Sequence, residues 1–469
     1  MTPLYALTAA ELAEAYADRS LSPAEVVEAV LSRVEAWEPH ANAMYRVHGD
    51  AARAAAAASA ARWREGRPLS PLDGVPITLK ENLYTAGDPA PIGVAIGDLT
   101  PKTEDSPIAA RAGEAGCVLI GKTTMPDYGM LSSGRSSIHG TTRNPWNLER
   151  NTAGSSSGAG AAAAAGYGPL HVGTDIGGSV RLPAHHCGLF GLKPSLGRVP
   201  IHPPFMGRAA GPMTRTVRDA AMLMNAITRP DGRDHMNLPY DPVDYAAGLE
   251  GLSARGLRIG LIRAMGAGLE PEPAVVDAAV AAAGALQAAG AEVTEIPSFL
   301  TPDMLEGICR FFEARSYNDV MALTEEQRGR ILPFVAEWCT WRAGTFSGAD
   351  VMAAYMQVVA MREAAVQAVA GFDFVISPVA PIVSYPAEAH SPSEDPHNAL
   401  AHIAYTVAYN FSEQPAASVN WEFSADGLPI GVQLIGQRFD DLGVMRLARL
   451  VEQIRPAQKA WPEPPSRLR

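Results

Sequence analysis

Ala153-Gly154-Ser155-Ser156-Ser157-Gly158 leads into the alanine run Ala159–Ala165, and the stretch closes on Gly173-Thr174-Asp175-Ile176-Gly177-Gly178-Ser179. It reads as turn, helix, short strand, turn. Alanine is the strongest helix former, and glycine clusters punctuate both ends. Ser155 and Ser179 stand 24 residues apart, each in a glycine-rich turn. Glycines beside a serine let backbone N–H groups come close to a substrate oxygen.

The same alternation extends in both directions. Upstream, Gly74-Val75-Pro76-Ile77-Thr78-Leu79-Lys80 is a short β-rich run ending in lysine, residues 106–116 read as helix, and Cys117–Lys122 reads as a buried strand. Helix and strand continue to alternate through Leu192, which predicts an α/β fold with helices on the faces of a sheet. Lys80 then falls near a strand end, where open α/β sheets place ligands. The N-terminal region is helical scaffold. Thr8 with Glu11, and Ser22-Pro23 with Glu25, form two capping boxes, and residues 51–64 are nearly all alanine and arginine.

Downstream, residues 199–213 read as a proline- and glycine-rich loop, 257–263 as a strand, 273–289 as a helix and 291–296 as a strand. Residues 303–370 are mostly helical and carry Phe311, Phe312, Trp338, Trp341 and Phe346. Strands are predicted at Phe374–Pro378 and Pro429–Gly436, a loop over 385–397, and a last helix over 441–454. The length of 469 residues suggests two or three domains. No repeat or linker divides the chain, so a single domain over 1–469 is expected. It comprises a helical segment (1–65), a core (66–215) and the remainder (216–469).

With 47% hydrophobic residues the chain can bury a large core, and its net charge of −12 argues against a nucleic-acid surface. The opening Met1-Thr2-Pro3-Leu4-Tyr5 lacks the basic region of a leader, and no apolar run reaches membrane-spanning length. Cys117, Cys187, Cys309 and Cys339 are scattered without CxxC spacing, so neither a metal site nor a disulfide framework is expected. Buried thiols in a reducing cytoplasm are the expectation.

A serine hydroxyl is a weak nucleophile and needs a proton acceptor. Lysine serves only when neutral, so its reference pKa of about 10.4 has to fall, as burial would make it do. An isolated lysine at a strand end is ordinarily a surface group. A Ser-Ser-Ser turn is ordinarily a linker or a helix cap. Here the turn runs straight into a helix, and a hydroxyl capping that helix is one expectation. His185 and His186, just past Ser179, allow a Ser–His reading as the other.

The motifs taken in order resemble the amidase signature family of serine hydrolases. The matching segments are Pro71–Asn82, Gly121-Lys122-Thr123-Thr124-Met125-Pro126, Thr142-Arg143-Asn144-Pro145-Trp146, the serine–glycine turn, and Gly173–Ala184. The match runs on through Gly188–Arg198, Gly211-Pro212-Met213, Asn410-Phe411, Gln414-Pro415-Ala416 and Gly427–Gly436, spanning nearly the whole chain.

The resemblance implies a large mixed central sheet covered by helices on both faces. It implies Ser179 as the acyl-forming nucleophile, Ser155 as a bridging serine after a cis Gly154–Ser155 bond, and Lys80 as the base. The N–H groups of Ile176, Gly177, Gly178 and Ser179 would form the oxyanion hole, and no metal or organic cofactor is called for. By position, the loop Tyr128–Ile138 would line the acyl pocket, with Gly129, Met130 and Leu131 as its contacts. The family pattern treats the His185-His186 stretch as structure.

Three departures stand out. Ala153 and Ser157 replace glycines around the serine turn, and Glu81 stands where Asp is common. Alanine at 153 fits if its φ is negative. The implied reaction is cleavage of the C–N bond of aryl or alkyl amides, with carbamates (a urethanase activity) and esters accessible to the same relay. The loop 203–208 and the aromatics of 311–346 are expected to flank the entrance. The alternative is the glutamine-hydrolysing component of a tRNA-dependent amidotransferase. The loops at 199–213 and 385–397 favour a stand-alone amidase, monomeric or homodimeric, with a small amide or carbamate as its only partner, and neither nucleic acid nor membrane.

Overall fold

The computed structural model describes residues 2–96 and 99–465. Its centre is an eleven-stranded sheet. From one edge to the other the strands are Met44–Val47, Val118–Thr123, Pro76–Lys80, Leu170–Asp175, Ala209–Thr214, Phe190–Lys193, Ala416–Phe423, Pro429–Gly436, Phe374–Pro378, Arg258–Leu261 and Glu292–Glu295. Pairing is parallel among 76–80, 118–123 and 170–175, and again among 374–378, 258–261 and 292–295. The strands between these groups pair antiparallel, so the sheet is mixed.

Alternation along the strands shows that both faces are buried. Ala417, Leu434 and Ile376 join one apolar cluster with helices Pro23–Ala41, Pro273–Ala288 and Asp441–Ile454. Their neighbours Ala416, Ile435 and Val375 join another with Pro302–Met321, Pro333–Thr340 and Gly348–Ala370. Helices therefore cover both sides. At one edge Glu292–Glu295 is polar and largely exposed, which discourages further strand pairing.

Both N-terminal capping boxes form, on helices Ala9–Ala17 and Pro23–Ala41. Three expectations need correction. The segment 1–65 is not purely helical, because Met44–Val47 adds an edge strand antiparallel to Val118–Thr123. The loop expected over 199–213 ends early, at strand Ala209–Thr214, where Pro212 sits inside a paired strand. The strand Ala416–Phe423 falls where the sequence offered only a motif fragment. The last two strands contain proline, glycine or alanine where β-formers are expected, and burial against neighbours overrides propensity there.

Helix Ser157–Ala165 is buried along its whole length. It fits because its side chains are small. A Cβ at Gly158 would lie 2.3 Å from the Ala43 carbonyl oxygen and 2.4 Å from the Thr124 nitrogen. The helix thereby lies against the chain near Thr124 and fixes the Ser155–Ser157 turn. Among the described residues no helix is long and apolar enough to cross a membrane.

Candidate active site

Lys80 ends the buried strand Pro76–Lys80, which runs parallel to Leu170–Asp175 with Thr78 opposite His171 and Leu79 opposite Val172. That register brings the lysine to Thr174. Its Nζ lies 2.8 Å from Ser155 Oγ, 3.1 Å from Ser156 Oγ and 3.0 Å from Thr174 Oγ1, and the side chain is fully buried. Burial pulls its pKa down to about 7. The positive Arg208 acts in the same direction, and the Asp175 and Glu81 carboxylates oppose it. Among the described residues the lysine has only hydroxyl oxygens as hydrogen-bond partners, so as a neutral amine it can take a proton from one of them.

The serine turn carries the cis Gly154–Ser155 bond. Ala153 has φ of +58°, so the condition of negative φ is not met and the residue sits in the left-handed region. Ser156 does not cap the following helix. Its hydroxyl donates to the Thr174 carbonyl at 3.1 Å and accepts from the Thr174 N–H at 3.2 Å, which stitches the turn to the neighbouring strand.

The second turn is organised by Asp175. Its carboxylate accepts from the N–H groups of Gly178 (2.8 Å) and Val180 (3.1 Å), and from Arg181 Nη2 (2.9 Å) and Asn410 Nδ2 (2.8 Å). Burial works to raise this carboxyl, but the Arg181 guanidinium and the hydrogen bonds from Arg181 and Asn410 hold it well below the usual carboxylate range. Arg181 goes on to the Thr406 carbonyl (2.9 Å), Gln433 Oε1 (2.8 Å) and Asn410 Oδ1 (2.7 Å).

The four N–H groups expected to form the oxyanion hole differ in their hydrogen bonding. The Gly178 N–H is committed to Asp175, whereas those of Ile176, Gly177 and Ser179 meet no acceptor among the described residues. Gly178 contributes shape instead: φ is +118°, and a Cβ there would lie 2.4 Å from Thr406 Oγ1.

Ser179 lines a small cavity of about 30 Å³. Gly129, Met130, Leu131, Ile176 and Gly177 line it, together with Phe312, Arg315, Trp338, Leu400 and Ile403. Ser155 stands beside the cavity, since a Cβ on the lining residue Gly129 would lie 3.2 Å from Ser155 Oγ. Asp127 clamps the lining loop, accepting from the N–H groups of Ser137 (2.7 Å) and Leu332 (2.9 Å). Pro203 and Arg208 line a neighbouring cleft with Asn82, Tyr84 and Tyr128.

The other aromatics expected at the entrance do not line this cavity. Trp341 stacks on His397 at 4.4 Å, Phe311 packs on Tyr355 at 6.0 Å, and Arg310 lies over Phe346 at 5.8 Å. The Ser–His reading also fails. His185 Nδ1 accepts from the Gly431 N–H at 3.0 Å, and Nε2 faces the Ile382 carbonyl at 3.1 Å. His186 packs edge-on against Tyr385. Glu81 is occupied as well, accepting from the Gly93 N–H at 3.0 Å and lying 2.8 Å from His139 Nε2.

Ser156, Thr174, Asn410 and Gln433 are site residues that sequence reasoning did not assign. All four lie within or beside the quoted motifs, so their signal was position alone. Phe312, Trp338, Leu400 and Ile403 had no motif to find them.

The profile of the family described as Amidase matches residues 25–445. This chain belongs to the amidase signature family. It is 35% identical to a glutamyl-tRNA(Gln) amidotransferase chain of Roseiflexus castenholzii, over 99% of both chains. It is 32% identical to an acylamidase of Rhodococcus erythropolis, over 97% of this chain and 96% of that one. Among solved structures it superposes on a bacterial aryl acylamidase of the amidase signature family with a TM-score of 0.89 and 29% identity, over 97% and 98% of the two chains. As a member of this family the protein is a hydrolase acting on C–N bonds, and the fold expected from the motifs is the fold observed.

Proposed function

We propose that this amidase-signature hydrolase is a stand-alone enzyme cleaving aryl or alkyl amides, with carbamates and esters as chemically related substrates, through an acyl-enzyme on Ser179. Neutral Lys80 takes the proton of Ser155, and Ser155 takes that of Ser179. Ser179 Oγ attacks the carbonyl carbon, and the developing oxyanion is held by the N–H groups of Ile176, Gly177 and Ser179. Each such donor is worth roughly 3–4 kcal/mol of transition-state stabilisation. The relay returns the proton to the leaving amine as the C–N bond breaks. Water then attacks the ester with the same groups acting in reverse, releasing the acid and restoring the Ser179 hydroxyl.

The observation that carries this reading is the 2.8 Å contact between the buried Lys80 amine and Ser155 Oγ, beside a cavity that contains Ser179. Apolar side chains (Met130, Leu131, Ile176, Phe312, Trp338, Leu400 and Ile403) dominate the cavity lining, which supports an acyl group with a hydrocarbon body. The identity to an amidotransferase chain keeps glutamine hydrolysis as the competing reading. No carboxylate lines the cavity among the described residues, so the ammonium of glutamine would find no counter-charge there.

The deciding experiment gives the purified chain anilides, primary amides, carbamates and glutamine, with mass detection of the adduct. Anilide turnover with an acyl group on Ser179 is expected, and Ser179→Ala should reduce turnover by roughly 10⁶-fold. Glutamine turnover confined to a reconstituted complex would overturn the stand-alone assignment, and full activity in Ser179→Ala would overturn the nucleophile.

A further inference from the structure

Arg315 is the one charged side chain on the wall of the Ser179 cavity among the described residues. It makes no hydrogen bond and no ion pair with any described residue, and its Nε is buried without a partner. Its guanidinium instead lies over the rings of Phe205 (5.2 Å) and Phe312 (5.4 Å). Arg342, on the same helical side, is handled quite differently, with Glu306 and Glu313 each 2.7 Å away. Arg315 is half-buried rather than removed from water, yet its Nε is shielded, and a buried polar group left unsatisfied calls for an explanation.

Two neighbouring groups share this condition. Arg208 lies over the same Phe205 ring at 5.8 Å and donates only to the Pro203 carbonyl, at 3.2 Å. Tyr128, next to the cavity residue Gly129, has a buried hydroxyl with no partner. The two cations repel each other, and the nearby Asp319 is exposed and pairs with neither. Positive charge and unused donors therefore converge beside the cavity, and no described carboxylate lines it to answer them.

We propose that Arg315 binds a carboxylate carried on the acyl portion of the substrate. Arg208 adds positive potential and Tyr128 Oη a further donor, so the preferred substrates are monoamides of dicarboxylic acids. This rests on the amidase reading above. A guanidinium presents paired N–H groups that match a carboxylate in bidentate fashion. Its stacking on Phe205 and Phe312 holds it in place without consuming those donors.

The test compares the monoanilide of glutaric acid with the neutral valeranilide, and 4-acetamidobenzoate with acetanilide, on the full chain. The glutaric monoanilide should exceed valeranilide in kcat/KM by about tenfold or more, chiefly through KM, because an unpaired buried donor is what the neutral analogue leaves behind. Arg315→Met should erase that ratio whatever its absolute rates, and Arg208→Met should reduce it by a smaller factor. Calorimetric titration of the wild-type chain with glutarate, and with neutral glutaramide, decides the subsite independently of turnover or of how the variants fold. Glutarate should bind and glutaramide should not.

Equal kcat/KM for the glutaric monoanilide and valeranilide, or a preference confined to the carboxylate on the leaving group, would overturn the carboxylate subsite while leaving the amidase reading intact. Turnover of glutamine but of no anilide would overturn the amidase reading itself.

Discussion

The two walls of the site are built on opposite principles. Around Lys80, Ser155, Ser156, Thr174, Asp175 and Arg181, the side chains are nearly all polar and buried, and almost every one of them finds a hydrogen-bond partner. The facing wall comes from helices Pro302–Met321 and Pro333–Thr340 and from the turn Ala401–Tyr405, and it is apolar apart from one unpaired guanidinium. The first wall is preorganised: its dipoles are fixed before any substrate arrives, which is where electrostatic catalysis gains most. The second specifies little beyond shape and one charge, so it can change with the substrate without disturbing the chemistry. The comparison predicts large effects on rate from the first wall and modest effects on selectivity from the second.

The largest effect separates them outright. Lys80→Ala should lower kcat by roughly 10⁴-fold, the upper range for removing a general base. Its wild-type counterpart is a pH profile. With Lys80 near 7, the neutral amine is the minority form below that value, so kcat/KM should fall about tenfold per pH unit on acidification and level off above. A flat acid limb would mean that the lysine does not act as the base. Lys122 and Lys193 are also pulled down to about 7 by burial, yet they donate to the carbonyls of Leu83 and Pro194 rather than to hydroxyls. They therefore have no nucleophile to activate.

The same contrast governs what could be read from sequence. The residues proposed for the relay, Lys80, Ser155 and Ser179, lie at strand ends and glycine turns within residues 71–215, where periodicity, punctuation and motif order all mark them. Gly129, Met130 and Leu131, which line the cavity, lie in a loop that the family motifs single out by position. Phe312, Trp338 and Ile403 carry no such mark, because an aromatic or branched residue on an amphipathic helix looks the same whether it packs a core or walls a cavity. Only tertiary packing separates Phe312, which lines the cavity, from Phe311, which packs on Tyr355. The commitment of the Gly178 N–H to Asp175 was equally unreadable, since it depends on where a carboxylate points.

Next in size is the foundation of the polar wall. Arg181→Met leaves the Asp175 carboxylate buried with its guanidinium partner gone, and breaking such a pair typically costs about 3–5 kcal/mol. Denaturant unfolding should show a loss of that order, with activity falling alongside because Asp175 also holds the Gly178 turn. A loss below about 1 kcal/mol would mean that Asn410 and the backbone donors alone satisfy Asp175. On the other wall, Trp338→Ala should reduce kcat/KM for a bulky acyl amide by roughly 10–100-fold, mostly through KM, as expected for a lost apolar contact. The acid limb of the pH profile should stay where it was. A shifted limb would show that the two walls are coupled.

The smallest effect concerns Ala153, which sits at the seam between the walls. Its backbone belongs to the serine turn, at φ of +58°, and its methyl is packed in the same apolar cluster as Met130 and Leu131. Left-handed backbone costs an alanine about 1–2 kcal/mol, which Ala153→Gly would relieve. The substitution also removes a buried methyl worth about 0.8 kcal/mol and loosens the unfolded chain by roughly 0.4–1 kcal/mol. These contributions nearly cancel, so urea unfolding should report a change in stability of less than about 1 kcal/mol. Ala153→Val keeps the strain and adds a branched side chain where φ is least tolerant of one, so it should be clearly worse. If glycine instead destabilises by about 2 kcal/mol or more, the methyl's packing outweighs the backbone strain, and the apolar wall, not the turn, sets the residue at this position.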